Sequence, residues 1–261
     1  MSSYKEKTVS ETGNMSKEKP KKYFTLSFDD GITQDLKIME ILKRNNVYCC
    51  TFNINTGLCG ANWDWVGKSF DRPDVTHIRF TEKELESGIY DGFDVAVHTL
   101  HHPSLKIYDS DIPALVNEIC GDSENIRNLT GISPTGMAWP GGDTEYTDTT
   151  VSLVNSHTGM RFARGTTSTY GFGLPEYFLK WMPTCSICDD RCVELAKSFI
   201  DARNDKDMLF YVWGHGYELD IFNLYDRLES LVEMMRDAGV SMVTNSEFYN
   251  FFKDEIPSWK Q

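Results

Sequence analysis

Two adjacent carboxylates, Asp29 and Asp30, close the apolar run Tyr23–Phe28 and are followed by Gly31. A buried carboxylate without a partner is very unfavourable, so such a pair at a strand end suits a cation, or a division of labour between metal and proton. Taken alone, Phe28-Asp29-Asp30-Gly31 is more often a solvated turn. A second apolar run, Phe93–Val97, leads into His98-Thr99-Leu100-His101-His102-Pro103. His98 and His102 stand four apart, so on a helical turn their rings share one face and converge on one ion. Two histidines and one aspartate form a common three-ligand set that leaves positions open for water and substrate. A third run, Met208–Trp213, is followed by Gly214 and His215. A lone histidine there is usually structural, but beside the other groups it becomes the natural general acid.

Other reactive side chains carry less. Cys185, Cys188 and Cys192 lack a nearby fourth ligand for a structural zinc and read as buried, reduced thiols. Glu218 could orient His215, touch substrate or sit solvated in its loop. His101 is expected to point away from the ion, and His77 and His157 show no pattern that assigns them a task.

The elements that must position these groups alternate along the whole chain. Strands are expected at Tyr23–Phe28, Val47–Ile54, Phe93–Val97, Gly136–Trp139, Arg161–Ala163, Met208–Trp213 and Val240–Val243. Helices are expected at Gln34–Asn45 with Thr33 as N-cap, Glu82–Ser87, Asp111–Asn128, Thr147–Asn155, Asp190–Ala202, Ile221–Ala238 and Ser246–Phe252. The stretch around residues 62–73 reads as loop. Such alternation favours a parallel sheet covered by helices, a barrel or a doubly wound sheet. Neither a dinucleotide fingerprint nor a phosphate loop is present. In a parallel barrel, reactive groups gather where strands end at their C-termini, and the acidic and histidine residues fall there.

Charge and composition narrow the function classes. The chain has 261 residues, with 26 Lys plus Arg against 39 Asp plus Glu, a net charge of −13. That balance argues against nucleic acid as a partner and makes neutral or cationic ligands easier ones. No run of apolar residues is long enough to cross a membrane. Seven cysteines fit a reducing compartment better than a disulfide framework. Residues 1–22 are polar and lysine-rich without a signal-peptide core, so a disordered leader, a cytoplasmic location and a single domain over residues 23–261 are expected.

In this order the motifs resemble the polysaccharide deacetylases, metal-dependent N- and O-deacetylases. Ser27-Phe28-Asp29-Asp30-Gly31 is similar to the family's Ser/Thr-Phe-Asp-Asp-Gly, and His98-Thr99-Leu100-His101-His102 to its His-Ser/Thr-x-x-His. Ala138-Trp139-Pro140-Gly141-Gly142 stands where the family has Arg-x-Pro-aromatic-Gly, and Tyr211–His215 where it has Leu-x-Leu-x-His. The resemblance spans roughly residues 23–252 and implies a distorted (β/α)7 barrel, of α/β class. It also implies that Asp30, His98 and His102 hold a divalent cation, zinc first, with cobalt, nickel or manganese as alternatives. Asp29 would be the general base for the attacking water. The metal and the Gly141 N–H would stabilise the oxyanion, and His215 would protonate the leaving group. The implied partner is an acetylated saccharide.

Two positions depart from the pattern: Ala138 replaces the family's arginine, which pairs with the base, and Gly141 replaces its aromatic residue. A base without that partner binds its proton more tightly or finds another cation. Arg164 could be that cation, or could form a surface salt bridge. Trp181 could line the acetyl pocket or belong to the core, and Trp139 and Pro140 complete the expected substrate wall. Three functions follow: a metal-dependent carbohydrate deacetylase, a same-scaffold hydrolase of a non-sugar amide such as a cyclic imide or ureide, and a catalytically weakened carbohydrate-binding member.

Overall fold

Along β1 (Lys22–Asp30), Tyr23, Thr25, Ser27 and Asp29 alternate with Phe24, Leu26 and Phe28, and all of them are buried. A strand covered on both faces belongs at the centre of a parallel sheet. The computed structural model, which describes residues 21–203 and 205–260, places it there. All but the last two residues of the expected leader lie outside the described residues.

Seven parallel strands follow the order β5-β4-β3-β2-β1-β7-β6. They are β2 (Cys50–Ile54), β3 (Asp94–Val97), β4 (Gly136–Ala138), β5 (Phe162–Arg164), β6 (Cys185–Ser186) and β7 (Met208–His215), with β1 between β2 and β7. A short β8 (Ser241–Met242) pairs with the start of β1. The sheet curls so that Trp181 bridges the β5 edge at Arg164 while Cys185 pairs with Val212 of β7, joining the two edges through one short segment. This bears out the expected distorted (β/α)7 barrel. Helices α1 (Asp35–Arg44), α4 (Ile112–Thr130), α5 (Asp148–His157), α6 (Cys192–Asp201) and α8 (Tyr225–Asp237) bury apolar stripes. Among the described residues no helix is long and apolar enough to cross a membrane.

Local chemistry explains where elements start and stop. In α4, Asp111 accepts the N–H of Ala114, and Gly131 ends the helix at φ +75°. In α5, Thr147 and Thr150 form a reciprocal capping box. Thr33 does not cap α1: Gln34 takes the N-cap position, and its side chain donates instead to the Thr76 carbonyl, 2.7 Å away. The single helix expected over Ile221–Ala238 is two, α7 (Gly216–Phe222) and α8, separated by Asn223 in the left-handed region at φ +54°. Asparagine tolerates that conformation, so the 4-3-4 spacing of apolar residues did not reveal the break. The stretch around residues 62–73 is not all loop, since it holds the short helix α2 (Trp65–Ser69). Two more short helices, α3 (Glu82–Glu86) and α9 (Asn245–Phe252), match expected positions closely.

Candidate active site

Neighbouring residues of a strand point to opposite faces, so Asp29 and Asp30 could not share a cavity if β1 stayed regular. Asp29 belongs to the interior face, in register with Asn53 of β2 and His215 of β7. Asp30 is turned by a left-handed backbone at φ +84°, an uncommon state for a residue with a side chain. Gly31 follows at φ +62°, and a Cβ there would come within 2.9 Å of the Ile54 side chain, so the turn needs glycine. Both carboxylates then line one cavity of about 450 Å³ at the C-terminal end of the barrel.

His98 and His102 reach the same cavity, though not from a helical turn. Residues 98–104 form an irregular loop in which Thr99 (φ +68°) and His102 (φ +56°) are left-handed. The His98 N–H donates to Asp122 Oδ2 (3.1 Å), the Asn55 amide donates to the Thr99 carbonyl (3.0 Å), and His101 binds Glu118 on the far side (2.8 Å). The two rings meet edge to face with centroids 4.9 Å apart.

The polarity of His98 is set by its second nitrogen. Nδ1–H donates to the Ala138 carbonyl (3.0 Å), so Nε2 carries a lone pair toward the cavity. That Nε2 is buried, has no hydrogen-bond partner, and lies 3.9 Å from both Asp29 Oδ2 and Asp30 Oδ1. Burial pushes the His98 pKa down to about 4, and burial likewise lowers that of His102. One donor atom each from Asp30, His98 and His102 lie within 4.8 Å of one another. An orphaned imidazole lone pair, a neutral second imidazole and a carboxylate fit a divalent cation. The cysteines contribute no second group of this kind among the described residues, and all seven are free thiols.

Asp29 is held differently. Burial alone would raise its pKa, but Arg164, His98 and His215 outweigh it and hold the carboxyl below its usual range. The Arg164 guanidinium donates directly to Oδ2, and the Asn53 amide donates to Oδ1 (2.8 Å). Arg164 is paired in register with Ala138, and in-register partners on adjacent strands project to the same face. The cation missing from position 138 is thus supplied from the next strand. Arg164 is fully buried, so it is neither a surface salt bridge nor a wall against substrate.

His215 lies on the opposite side of the acid pair. Burial disfavours its charged form, but Glu218, with Asp30 and Asp29, raises its pKa to about 9. Glu218 comes within 3.3 Å of Nδ1 as a charge partner and accepts the His215 backbone N–H at 2.7 Å, so it stands against His215 rather than solvated. Tyr217 stacks on the ring at 4.9 Å.

The remaining wall is partly as expected. Trp139 and Gly141 line the cavity together with Trp63, Trp65, Trp213 and Tyr217. Pro140 is buried and does not line it. Trp181 packs into an aromatic cluster with Phe178, Tyr211 and Phe248 away from the cavity, which makes it a core residue. His77 and Arg79, to which the sequence assigns no task, both contact Asp30. Their alternate spacing, placing both on one side of an extended segment, was the available clue.

The arrangement brings a candidate cation site, a carboxylate whose pKa is held low and an imidazole whose pKa is raised around one cavity, the parts needed to add water to a carbonyl and expel its leaving group. A model of the polysaccharide deacetylase family matches residues 16–163, more than half of the chain. Among solved structures, the Xyl-CE4 domain of a multidomain xylanase from the hindgut metagenome of Trinervitermes trinervoides is similar at 16% identity and TM-score 0.55, covering 92% of this chain and 95% of that one. A family 4 acetyl xylan esterase from Clostridium thermocellum, in complex with cobalt, is similar at 14% identity and TM-score 0.54, covering 90% and 93%. A CE4-family pseudoenzyme from Bacillus anthracis is similar at 15% identity and TM-score 0.53, with 87% of this chain covering 65% of that one. No curated protein sequence compared with the chain matches it significantly.

Proposed function

From a chain that belongs to the polysaccharide deacetylase family, hydrolases of C–N and ester bonds, we infer a metal-dependent enzyme that removes acetyl groups from a carbohydrate. The observation that carries this reading is the orphaned His98 Nε2, turned by the Ala138 carbonyl toward Asp30 and His102. When bound there, a divalent cation would acidify a water and polarise the acetyl carbonyl. Zinc is the first candidate, with cobalt, nickel and manganese behind it. Asp29, kept ionised by Arg164, takes the proton of the attacking water. Gly141 lines the cavity, and its N–H would stabilise the carbonyl oxygen as charge develops. The C–N or C–O bond breaks as His215 gives its proton to the departing amine or alcohol, leaving acetate. Trp63 and Trp65, which line the cavity without being buried, offer apolar surface to the C–H face of a sugar ring. Seven free thiols support a cytoplasmic location.

The cyclic-amide reading loses one of its supports, because Arg164 restores the cation that Ala138 lacks. The acid, base and cation groups are all present around one cavity, which speaks against a weakened binding protein. Incubation with an N-acetylated chitooligosaccharide and an acetylated xylan should release acetate, whereas cyclic imides and ureides should not turn over. The reverse pattern would overturn the carbohydrate reading.

The pH dependence follows from the two shifts. Asp29 is ionised from below the usual carboxylate range, and His215 stays protonated until about pH 9. Activity should therefore hold through neutrality and fall as pH rises through about 9, a broader plateau than unshifted groups would produce. Because Glu218 holds the His215 pKa up, Glu218→Gln should move the falling limb of kcat/KM to lower pH. An unmoved limb would remove His215 as the proton donor.

A further inference from the structure

We propose that His77 and Arg79 are positioning residues that fix the Asp30 carboxylate for cation binding, an inference that rests on reading Asp30, His98 and His102 as the cation site. The segment after α2 returns antiparallel to the residues that follow Asp30. Arg79 bridges Ile32, the Phe80 N–H donates to the Gly31 carbonyl (3.0 Å), and the Thr33 N–H donates to the Ile78 carbonyl (2.9 Å). Alternate side chains of this extended piece therefore face Asp30 together. His77 Nε2–H donates to Asp30 Oδ2 at 2.8 Å, and Arg79 Nη2–H donates to Oδ1 at 3.1 Å. Arg79 Nη1 faces His77 Nδ1 at 3.4 Å, which leaves Nε2 as the nitrogen that carries the proton toward the carboxylate.

Both side chains are buried, and Trp63 locks them from one side. Its ring lies parallel to His77 at 5.5 Å and beneath the Arg79 guanidinium at 4.0 Å. The oxygen that approaches His98 Nε2 is Oδ1. Oδ2 is occupied by His77 on the other side, so rotation of the carboxylate would break a buried hydrogen bond. This matters because Asp30 ends β1 on a left-handed backbone, which takes its side chain out of the alternation of the strand and leaves the carboxylate to be held by groups from another segment. A hydrogen bond to the second oxygen of a ligating carboxylate orients the first, and loss of such an outer partner typically weakens metal affinity about 10–100-fold.

The test is titration of cobalt(II) alone into chelator-stripped protein, followed by calorimetry and by the visible spectrum of the bound ion. His77→Phe keeps a ring against Trp63 but removes the donor, and His77→Gln returns an N–H near the position of Nε2. The Phe variant should bind about 10–100-fold more weakly with an altered spectrum, and the Gln variant should recover most of the affinity. Both should stay folded without metal at the titration temperature, the Phe variant unfolding somewhat earlier because Oδ2 loses its buried donor. Wild-type affinity in His77→Phe, or equal weakening in both variants, would overturn the proposal while leaving the cation site standing. If wild-type protein takes up no cobalt, or His98→Ala takes up as much as wild type, the cation site itself fails and the proposal with it.

Discussion

Arg164→Met should destabilise the protein by about 3–5 kcal/mol and move the rising limb of its pH–rate profile upward, because it strands a fully buried carboxylate without its cation. Asp29 keeps the Asn53 amide on Oδ1 but loses the guanidinium on Oδ2. Burial, which raises its pKa, then has less to oppose it. The sign follows from linkage. A carboxyl held low in the folded state adds stability above its unfolded pKa, lost as pH falls through the folded value. In the variant that contribution disappears at neutral pH, and the base regains its proton over a range where wild type is ionised. Activity should return as pH rises, until loss of the His215 proton cuts it off. Denaturant unfolding and kcat/KM against pH read the two effects separately.

A repair distinguishes this pairing from mere packing. Ala138 and Arg164 are in register on adjacent strands, so Ala138→Arg combined with Arg164→Ala returns a guanidinium to the same face. The double variant should recover a large part of the activity that Arg164→Ala loses. Recovery of stability without recovery of the pH profile would mean that the arginine serves packing alone.

The second large effect belongs to the proposed base. Asp29→Asn keeps the shape and the barrel but cannot take a proton, and positioned proton transfer is worth about 100- to 10,000-fold in rate. Asp30, His98 and His102 are untouched, so metal affinity should change far less than turnover. Single-turnover rates with metal-loaded protein measure this directly. A variant that retained the wild-type rate would remove Asp29 from the proton transfer, and one that lost its metal would place Asp29 among the ligands instead.

Strand–helix alternation and the chemistry at strand ends were legible because both depend on local residue order. Asp29, Asp30, His98, His102 and His215 all announce themselves by following apolar runs, and all five line one cavity. What failed to show were features set by backbone irregularity or by distant chain. The left-handed Asp30 and the loop that replaces a helical turn between His98 and His102 follow from φ angles with no periodic signature. Asn223 breaks a helix inside an unbroken apolar pattern for the same reason. His77 and Arg79 reach Asp30 from 47 and 49 residues away, out of a short stretch between the expected loop around residues 62–73 and the expected helix at Glu82–Ser87, where no element is expected. Arg164 was visible as a candidate cation, but only the register of β4 with β5 assigns it to Asp29. Trp181 had no signal to separate a cavity wall from an aromatic core, and the cluster around Phe248 decides for the core.

Metal-dependent acetate release is the most direct test of the whole reading. The same protein is assayed on an N-acetylated chitooligosaccharide and an acetylated xylan as purified, after chelation, and after reloading with zinc or cobalt. Acetate should appear at an enzymatic rate, vanish on chelation and return on reloading, with His98→Ala inactive throughout. Undiminished release from chelated protein, or none from a fully loaded one, would contradict a metal-dependent deacetylase built on Asp30, His98 and His102.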